Sequence, residues 1–168
     1  VFDHFCGGVN ETDCLRVVDK MYTKGVSSVL DYSVEGKEEE AQFDAALNMT
    51  LKTIEFARER EAIPFAVFKP TGFGRLALYE KVGDKAHLTE NEQKEWNRVI
   101  ERFDIGCKTA FEKHVLLLID AEESWMQDAA DAIVTDMMRK YNKQKAIVFN
   151  TLQMYRWDRL DYLKNLHE

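Results

Sequence analysis

The stretch Val115-Leu-Leu-Leu-Ile-Asp-Ala-Glu-Glu-Ser124 decides the fold. Five apolar residues run without polar alternation and then give way at once to Asp120, Glu122 and Glu123. A run this short is strand-length, and its continuous apolarity belongs to a strand buried on both faces, as in a parallel sheet. Three further runs resemble it in length: Val26–Leu30 (VSSVL), Pro64–Phe68 (PFAVF) and Lys145–Phe149 (KAIVF). All four are expected to be strands.

Charged segments with helical spacing lie between them. From Glu38 to Ala62, Phe43, Ala46, Leu47, Thr50, Leu51, Ile54 and Ala57 recur at i+3/i+4 and build one apolar stripe. Thr89-Glu90-Asn91-Glu92 is a capping box, in which the Thr hydroxyl takes an orphan helix N–H and Glu92 reaches back. Its helix runs through Trp96, Val99, Ile100 and Phe103 toward His114, and another spans Trp125 to Tyr141. An earlier helix, about Thr12 to Lys24, closes on Gly25, and the acidic run Glu38–Glu40 suits a helix N-terminus. The chain reaches its last residues within an amphipathic helix, LKNLHE. Alternating helix and strand, with one extra helix allowed before the Thr89 helix, implies right-handed crossovers and a parallel sheet. A doubly wound sheet would carry a phosphate loop after its first strand, and Gly72-Phe73-Gly74 lacks the third glycine of such a fingerprint. The expected fold is α/β: a partial (β/α)8 TIM-type barrel of about four parallel strands with flanking helices.

Composition agrees with one folded domain. The chain has 168 residues, 45% hydrophobic and 32% charged, with only 2 prolines. Its 23 basic and 30 acidic residues give a net charge of −7, which argues against a duplex nucleic-acid partner that needs a basic stripe. No stretch approaches the ~18 apolar residues of a membrane span. Cys6, Cys14 and Cys107 are irregularly spaced and the histidines are scattered, so no metal site is expected; the thiols read as reduced. Asn10-Glu11-Thr12 and Asn48-Met49-Thr50 match a glycosylation pattern that is common by chance. The opening VFDHFCGG is neither an initiator nor a signal peptide, and with the last helix it suggests a segment of a longer chain. Residues 1–25 are expected to form a leading segment and helix, and 26–168 the first half of a barrel.

Every strand run ends in polar groups: Asp31-Tyr32, Lys69 with Thr71, Asp120-Ala121-Glu122-Glu123, and Asn150-Thr151-Leu152-Gln153-Met154-Tyr155. In a parallel barrel these converge on one rim, where functional groups project. Lys69 suits an anionic group such as a carboxylate or phosphate. Asp120 and Glu122 share a strand face by the period of two, and Gln153 offers a donor and an acceptor to a heteroaromatic edge. No Ser/His/Asp set stands at plausible positions, and a carboxylate-pair hydrolase would need a second acid on a later strand.

In order and spacing, Phe-Lys-Pro-Thr-Gly (Phe68–Gly72), Ile-Asp-Ala-Glu-Glu-Ser (Ile119–Ser124) and Phe-Asn-Thr-Leu-Gln-Met-Tyr (Phe149–Tyr155) resemble successive strand-end motifs of the FAD-dependent proline dehydrogenase family. Leu30–Glu35 resembles the family's first barrel strand, and Phe5-Cys6-Gly7-Gly8 the element before it. The resemblance covers almost the whole chain. It implies a distorted (β/α)8 barrel carrying FAD that oxidises L-proline to Δ1-pyrroline-5-carboxylate and passes electrons to a quinone. By the same resemblance Lys69 would pair with the proline carboxylate and Asp120 would sit in the flavin and substrate pocket. Thr151 and Gln153 would line the flavin ring, with Ala121 packed beside it and Tyr155 in the same wall. The implied setting is the cytoplasm, with peripheral contact at an inner membrane through parts outside this segment, or the mitochondrion.

Departures from the pattern accompany the match. The family's carboxylate-clamping arginine pair and its flavin-binding stretch after the fifth strand have no counterpart here, and Pro70 follows Lys69 where the family carries an apolar residue. Arg156 and Arg159 read as a solvated first helical turn. Met137, Met138 and Met154 read as core fillers, Trp96, Trp125 and Trp157 as helix-packing anchors, and His114 as structural. Two other readings stand beside the first: a non-catalytic half-barrel that assembles through its open edges, and an unrelated barrel hydrolase.

Overall fold

Helix α1, Glu11–Tyr22, starts where the Asn10 side chain accepts the Asp13 N–H at 2.9 Å and acidic Glu11 and Asp13 face the helix dipole. It is the first element of a computed structural model that describes residues 6–31, 36 and 38–167. Phe5 and Tyr32–Glu35, which carry parts of two sequence motifs, lie outside the described residues. Gly25 follows the helix at φ +74, a left-handed conformation that glycine adopts without strain.

Helix α2, Glu40–Ala57, opens with a Glu39/Gln42 capping box and buries Phe43, Ala46, Leu47, Thr50, Ile54 and Ala57 along the expected stripe. It ends five residues short of Ala62 because the chain turns there, with Ile63 N–H bonded to Arg60 O at 2.9 Å. Strand β1, Phe65–Phe68, pairs in parallel with β2, Leu116–Ile119, which pairs in parallel with β3, Val148–Asn150. A turn of 3-10 helix (Pro70–Gly72), α3 (Leu76–Gly83) and α4 (Glu90–Lys113) connect β1 to β2. Helix α5, Gln127–Tyr141, connects β2 to β3, and α6, Arg159–His167, follows. The Thr89/Glu92 capping box forms at the start of α4, and His114 ends that helix at φ 58 as an exposed left-handed cap.

The sheet therefore has three strands in the order β1-β2-β3 and is not closed into a barrel among the described residues. The partial barrel of about four strands is thus borne out as a fold, with three full strands formed among the described residues. Val26–Leu30 contributes one parallel bridge, Leu30 to Ala66, with Val26 and Val29 exposed at 45% and 43%. At a sheet edge only one neighbour supplies hydrogen bonds, and two serines in five residues leave little apolar surface to hold the segment down. The third strand lies later than the Lys145–Phe149 run. Lys145 and Ala146 stay exposed, and the Asn142 Oδ1 atom takes the Ile147 and Val148 N–H groups at 2.9 Å each.

Burial along the strands alternates rather than being complete on both faces. Ala66, Phe68, Leu117, Ile119 and Val148 are buried beneath the helices. Phe65, Val67, Leu116, Leu118 and Phe149 form the other face and remain partly open, with Phe65 and Phe149 in edge contact at 5.6 Å. The covered face carries an aromatic cluster. Phe68 stacks on Phe73 at 4.4 Å, and Phe103 meets both edge-on at 5.2 and 5.6 Å. Such pairs add about 0.5–1.5 kcal/mol each beyond area burial. Gly74 belongs to this packing and not to a phosphate loop, since a Cβ there would lie 2.5 Å from Val99 Cγ2.

Other readings divide. Trp96 is 8% exposed and packs edge-on against Tyr79 at 5.2 Å, but Trp125 and Trp157 are exposed at 53% and 101% and anchor no helix packing. Met137 is buried, Met138 half-buried, and Met154 exposed. Cys107 is buried, and desolvation pushes its thiol up to about 12. No group of three or more metal-ligating residues occurs among the described residues, nor is any helix among them long and apolar enough to cross a membrane.

Candidate functional site at the strand ends

Strand register builds the site. Phe68 pairs with Ile119, and Ile119 with Asn150, so the next residues along, Lys69, Asp120 and Thr151, stand in one row across the sheet. Successive residues alternate faces, and Phe68 and Ile119 point under the helices. Lys69, Asp120 and Thr151 therefore fall on the open face, at the carboxyl ends of three adjacent strands. The Asp120 N–H extends the ladder by donating to Phe68 O at 3.0 Å.

Lys69 Nζ lies 3.3 Å from Asp31 Oδ2, one residue beyond the edge bridge. Desolvation works against the ammonium, but the Asp31 charge and hydrogen bond, with the more distant Asp120 and Glu122 charges, outweigh it and hold the Lys69 pKa above its usual value. Glu122 lies across from the 3-10 turn. It accepts Thr71 N–H at 2.8 Å and the Thr71 hydroxyl at 2.6 Å. Burial nonetheless raises its pKa, against the lowering pull of Thr71 and Lys69. The turn is held by the buried Tyr79, whose hydroxyl donates to Pro70 O at 2.8 Å. Pro70 thus starts a 3-10 turn and needs no backbone donor there.

Gln153 closes the row. Its Nε2 donates to the Glu122 carbonyl, and its Oε1 is buried with no hydrogen-bond partner among the described residues. Ala121 N–H and Thr151 N–H bond to the side-chain oxygens of the residues before them, Asp120 at 3.0 Å and Asn150 at 2.9 Å. Tyr155 is 75% exposed, and the structure does not bring it into this cluster. A cavity of about 760 Å³ lies between α1, α2 and the edge segment, lined by Val18, Met21, Met49 and Phe56 and reaching Asp31, the partner of Lys69.

Behind the rim runs a buried polar network that the sequence reading did not find. Asp131, on α5, accepts Gln127 Nε2 at 2.8 Å, Asn150 Nδ2 at 2.9 Å and Arg159 Nη1 at 2.5 Å. Gln127 Oε1 in turn accepts Glu122 N–H at 3.1 Å. Arg159 is 5% exposed, which corrects its reading as a solvated first turn: Asp131 and Asp158 neutralise it on the spot. Arg156 is largely covered too, pairing with Asp128 at 2.9 Å. The available signal was an acid at Asp131 between Ala130 and Ile133, on the apolar stripe of its helix and four residues after Gln127.

An unpartnered buried oxygen is expensive unless something donates to it. An amide oxygen of this kind, at Gln153 Oε1, suits the N–H edge of a planar heterocycle. The residues present are therefore compatible with a flavin.

This is an open α/β sheet whose strand ends gather a lysine, carboxylates and an amide on the rim where (β/α)8 barrels carry their functional groups. The family model "Proline dehydrogenase" matches residues 14–168, and the chain belongs to that family. It is 37% identical over 164 residues to the "Carbapenem antibiotics biosynthesis protein CarD" of Pectobacterium carotovorum subsp. carotovorum, covering 98% of this chain and 44% of that one. It is 25% identical over 204 residues to "Proline dehydrogenase 1, mitochondrial" of Dictyostelium discoideum, with 99% and 36% coverage. Among solved structures, proline utilization A of Bdellovibrio bacteriovorus superposes with a TM-score of 0.73 at 15% identity, over 92% of this chain and 17% of that one. That likeness shows the fold, that of a partial TIM-type barrel. The chain spans less than half the length of these relatives.

Proposed function

We propose that the chain is the N-terminal half of a flavin-dependent proline dehydrogenase barrel, residues 26–168 supplying the strands and residues 1–25 a leading segment. The observation that carries the reading is the row Lys69, Asp120, Thr151 on one open face, with the unpartnered Gln153 Oε1 at its end. FAD, when bound, would supply the two-electron redox chemistry, accepting a hydride as L-proline also loses its amine proton to become Δ1-pyrroline-5-carboxylate, with a quinone as the final electron acceptor.

The residues of this chain bind and orient. Lys69 meets the proline carboxylate, exchanging Asp31 for the substrate anion or sharing its charge between them. Asp120 borders both the ring and the substrate, and Ala121 allows close approach. Thr151 and Gln153 hydrogen-bond the ring edge, and Tyr155 comes to the same wall only once further barrel elements pack on it. Glu122, held by Thr71, keeps the Gln153 amide turned so that its oxygen faces the ring.

The test is proline-dependent reduction of a dye or quinone by the protein containing this segment together with the rest of its barrel. That protein is expected to be yellow and active, and residues 1–168 alone colourless or weakly coloured. No proline-dependent reduction by the intact protein would overturn the activity. A full equivalent of flavin on the segment alone would overturn the assignment of the missing flavin contacts to the later strands.

A further inference from the structure

The carboxylate of Asp131 does not reach the rim, yet two routes from the rim end on it. Gln127 Nε2 and Asn150 Nδ2 both donate to its Oδ1, at 2.8 and 2.9 Å, while Arg159 donates to its Oδ2. Three of the groups are shut away from water, Asp131 at 4% exposed, Gln127 at 1% and Arg159 at 5%, and Asn150 is half-buried. An ionised carboxylate only accepts hydrogen bonds, whereas each amide has one donating end and one accepting end. Two amides that turn their NH2 groups to Asp131 must turn their carbonyl oxygens away from it.

Those oxygens have partners. Gln127 Oε1 takes the Glu122 N–H at 3.1 Å, and Asn150 Oδ1 takes the Thr151 N–H at 2.9 Å. Glu122 is thus held at its N–H by Gln127, and its carbonyl, on the next peptide unit, accepts Gln153 Nε2; the other end of the Gln153 amide is Oε1, which has no partner among the described residues.

We infer that Asp131 is a positioning residue, a buried acceptor on α5 that holds the Gln127 and Asn150 amides and, through the Gln127–Glu122 bond, the backbone segment whose carbonyl fixes Gln153. Arg159 supplies the countercharge and ties the start of α6 to the same point. The orientation stands on this chain's own hydrogen bonds; only the identity of what the oxygen receives rests on the flavin reading above.

The experiment measures water-exchange rates of side-chain and backbone amide protons by NMR on uniformly 15N-labelled residues 1–168, with no flavin present. In Asp131→Ala, the Gln127 and Asn150 amides both lose their shared acceptor. The Gln153 side-chain amide and the Thr151 N–H should both exchange about tenfold faster, the loss of roughly one hydrogen bond each. The Leu117 N–H, bonded to Ile147 O at 2.8 Å in the sheet core, should keep its rate.

Gln127→Leu guards against a variant that fails to fold and separates the two routes: Gln153 should loosen while Thr151 keeps its protection. Unchanged Gln153 exchange in Gln127→Leu overturns the inference. So does a uniform acceleration that includes Leu117 and Thr151, which is what a merely structural role predicts. Because no flavin or proline enters the measurement, its failure is distinguishable from failure of the proposed activity.

Discussion

The Lys69 ammonium stands 3.3 Å from the Asp31 carboxylate, at the junction between β1 and the edge segment that pairs with it through a single bridge. The two side chains are 26% and 38% exposed, so the pair is partly screened and holds the edge weakly. Asp31→Asn is expected to change stability by less than about 1 kcal/mol. Because the Lys69 pKa is raised, its contribution is complete below the ordinary lysine value and is lost only as pH climbs through the higher folded value. Urea denaturation of wild type and Asp31→Asn should therefore differ equally at neutral and mildly alkaline pH and converge in strong alkali.

Lys69→Met in the intact protein is expected to raise KM for proline far more than it lowers kcat, because the charge binds the carboxylate in ground and transition states alike. Steady-state kinetics with dye as acceptor separates the two. An unchanged KM would remove Lys69 from the substrate site.

Glu122 titrates in the opposite sense from an ordinary ion-paired acid. Burial raises its pKa, so its contribution to stability is present below the ordinary glutamate range and is lost as pH rises through the folded value. Glu122→Gln keeps an acceptor for Thr71 and removes that titration. Its stability should be flatter than wild type as pH rises from the ordinary glutamate range, and it should exceed wild type near neutrality. Denaturant midpoints across a pH series give the comparison.

Gly74→Ala places a methyl group 2.5 Å from Val99 Cγ2, with backbone φ unremarkable, so the penalty is purely steric. Overpacking of this kind costs about 1–3 kcal/mol. Combining it with Val99→Ala should give less destabilisation than the sum of the two single changes, a coupling that a double-mutant cycle by thermal denaturation reads directly.

Trp125, Met154, Tyr155, Trp157, Leu160 and Leu163 are exposed at 42–101% around the end of β3 and the start of α6. β3 itself pairs only with β2 among the described residues. Apolar surface beside an unpaired strand edge drives association. Residues 1–168 alone should run in light scattering as species larger than the 19.6 kDa monomer, and a clean monomer would argue against an open half-barrel.

Local chemistry was enough for most of the fold. The Thr89/Glu92 box and the Phe43 to Ala57 stripe act within one or two turns of chain, so they could be read directly from the sequence, as could the apolar runs of all three strands. The polar residues closing those runs were legible too, because a charge directly after a buried strand is costly unless it emerges at an end. What tertiary structure decided was whatever depends on partners distant in sequence. Val26–Leu30 has strand composition but a single bridge partner among the described residues. Trp125 and Trp157 have the size of core residues but are covered by no layer among the described residues. Arg159 reads as solvated until Asp131, 28 residues earlier, is placed against it. A buried charge is tolerable only beside its counterion, and a strand persists only beside its neighbour; those pairings arise when the chain folds.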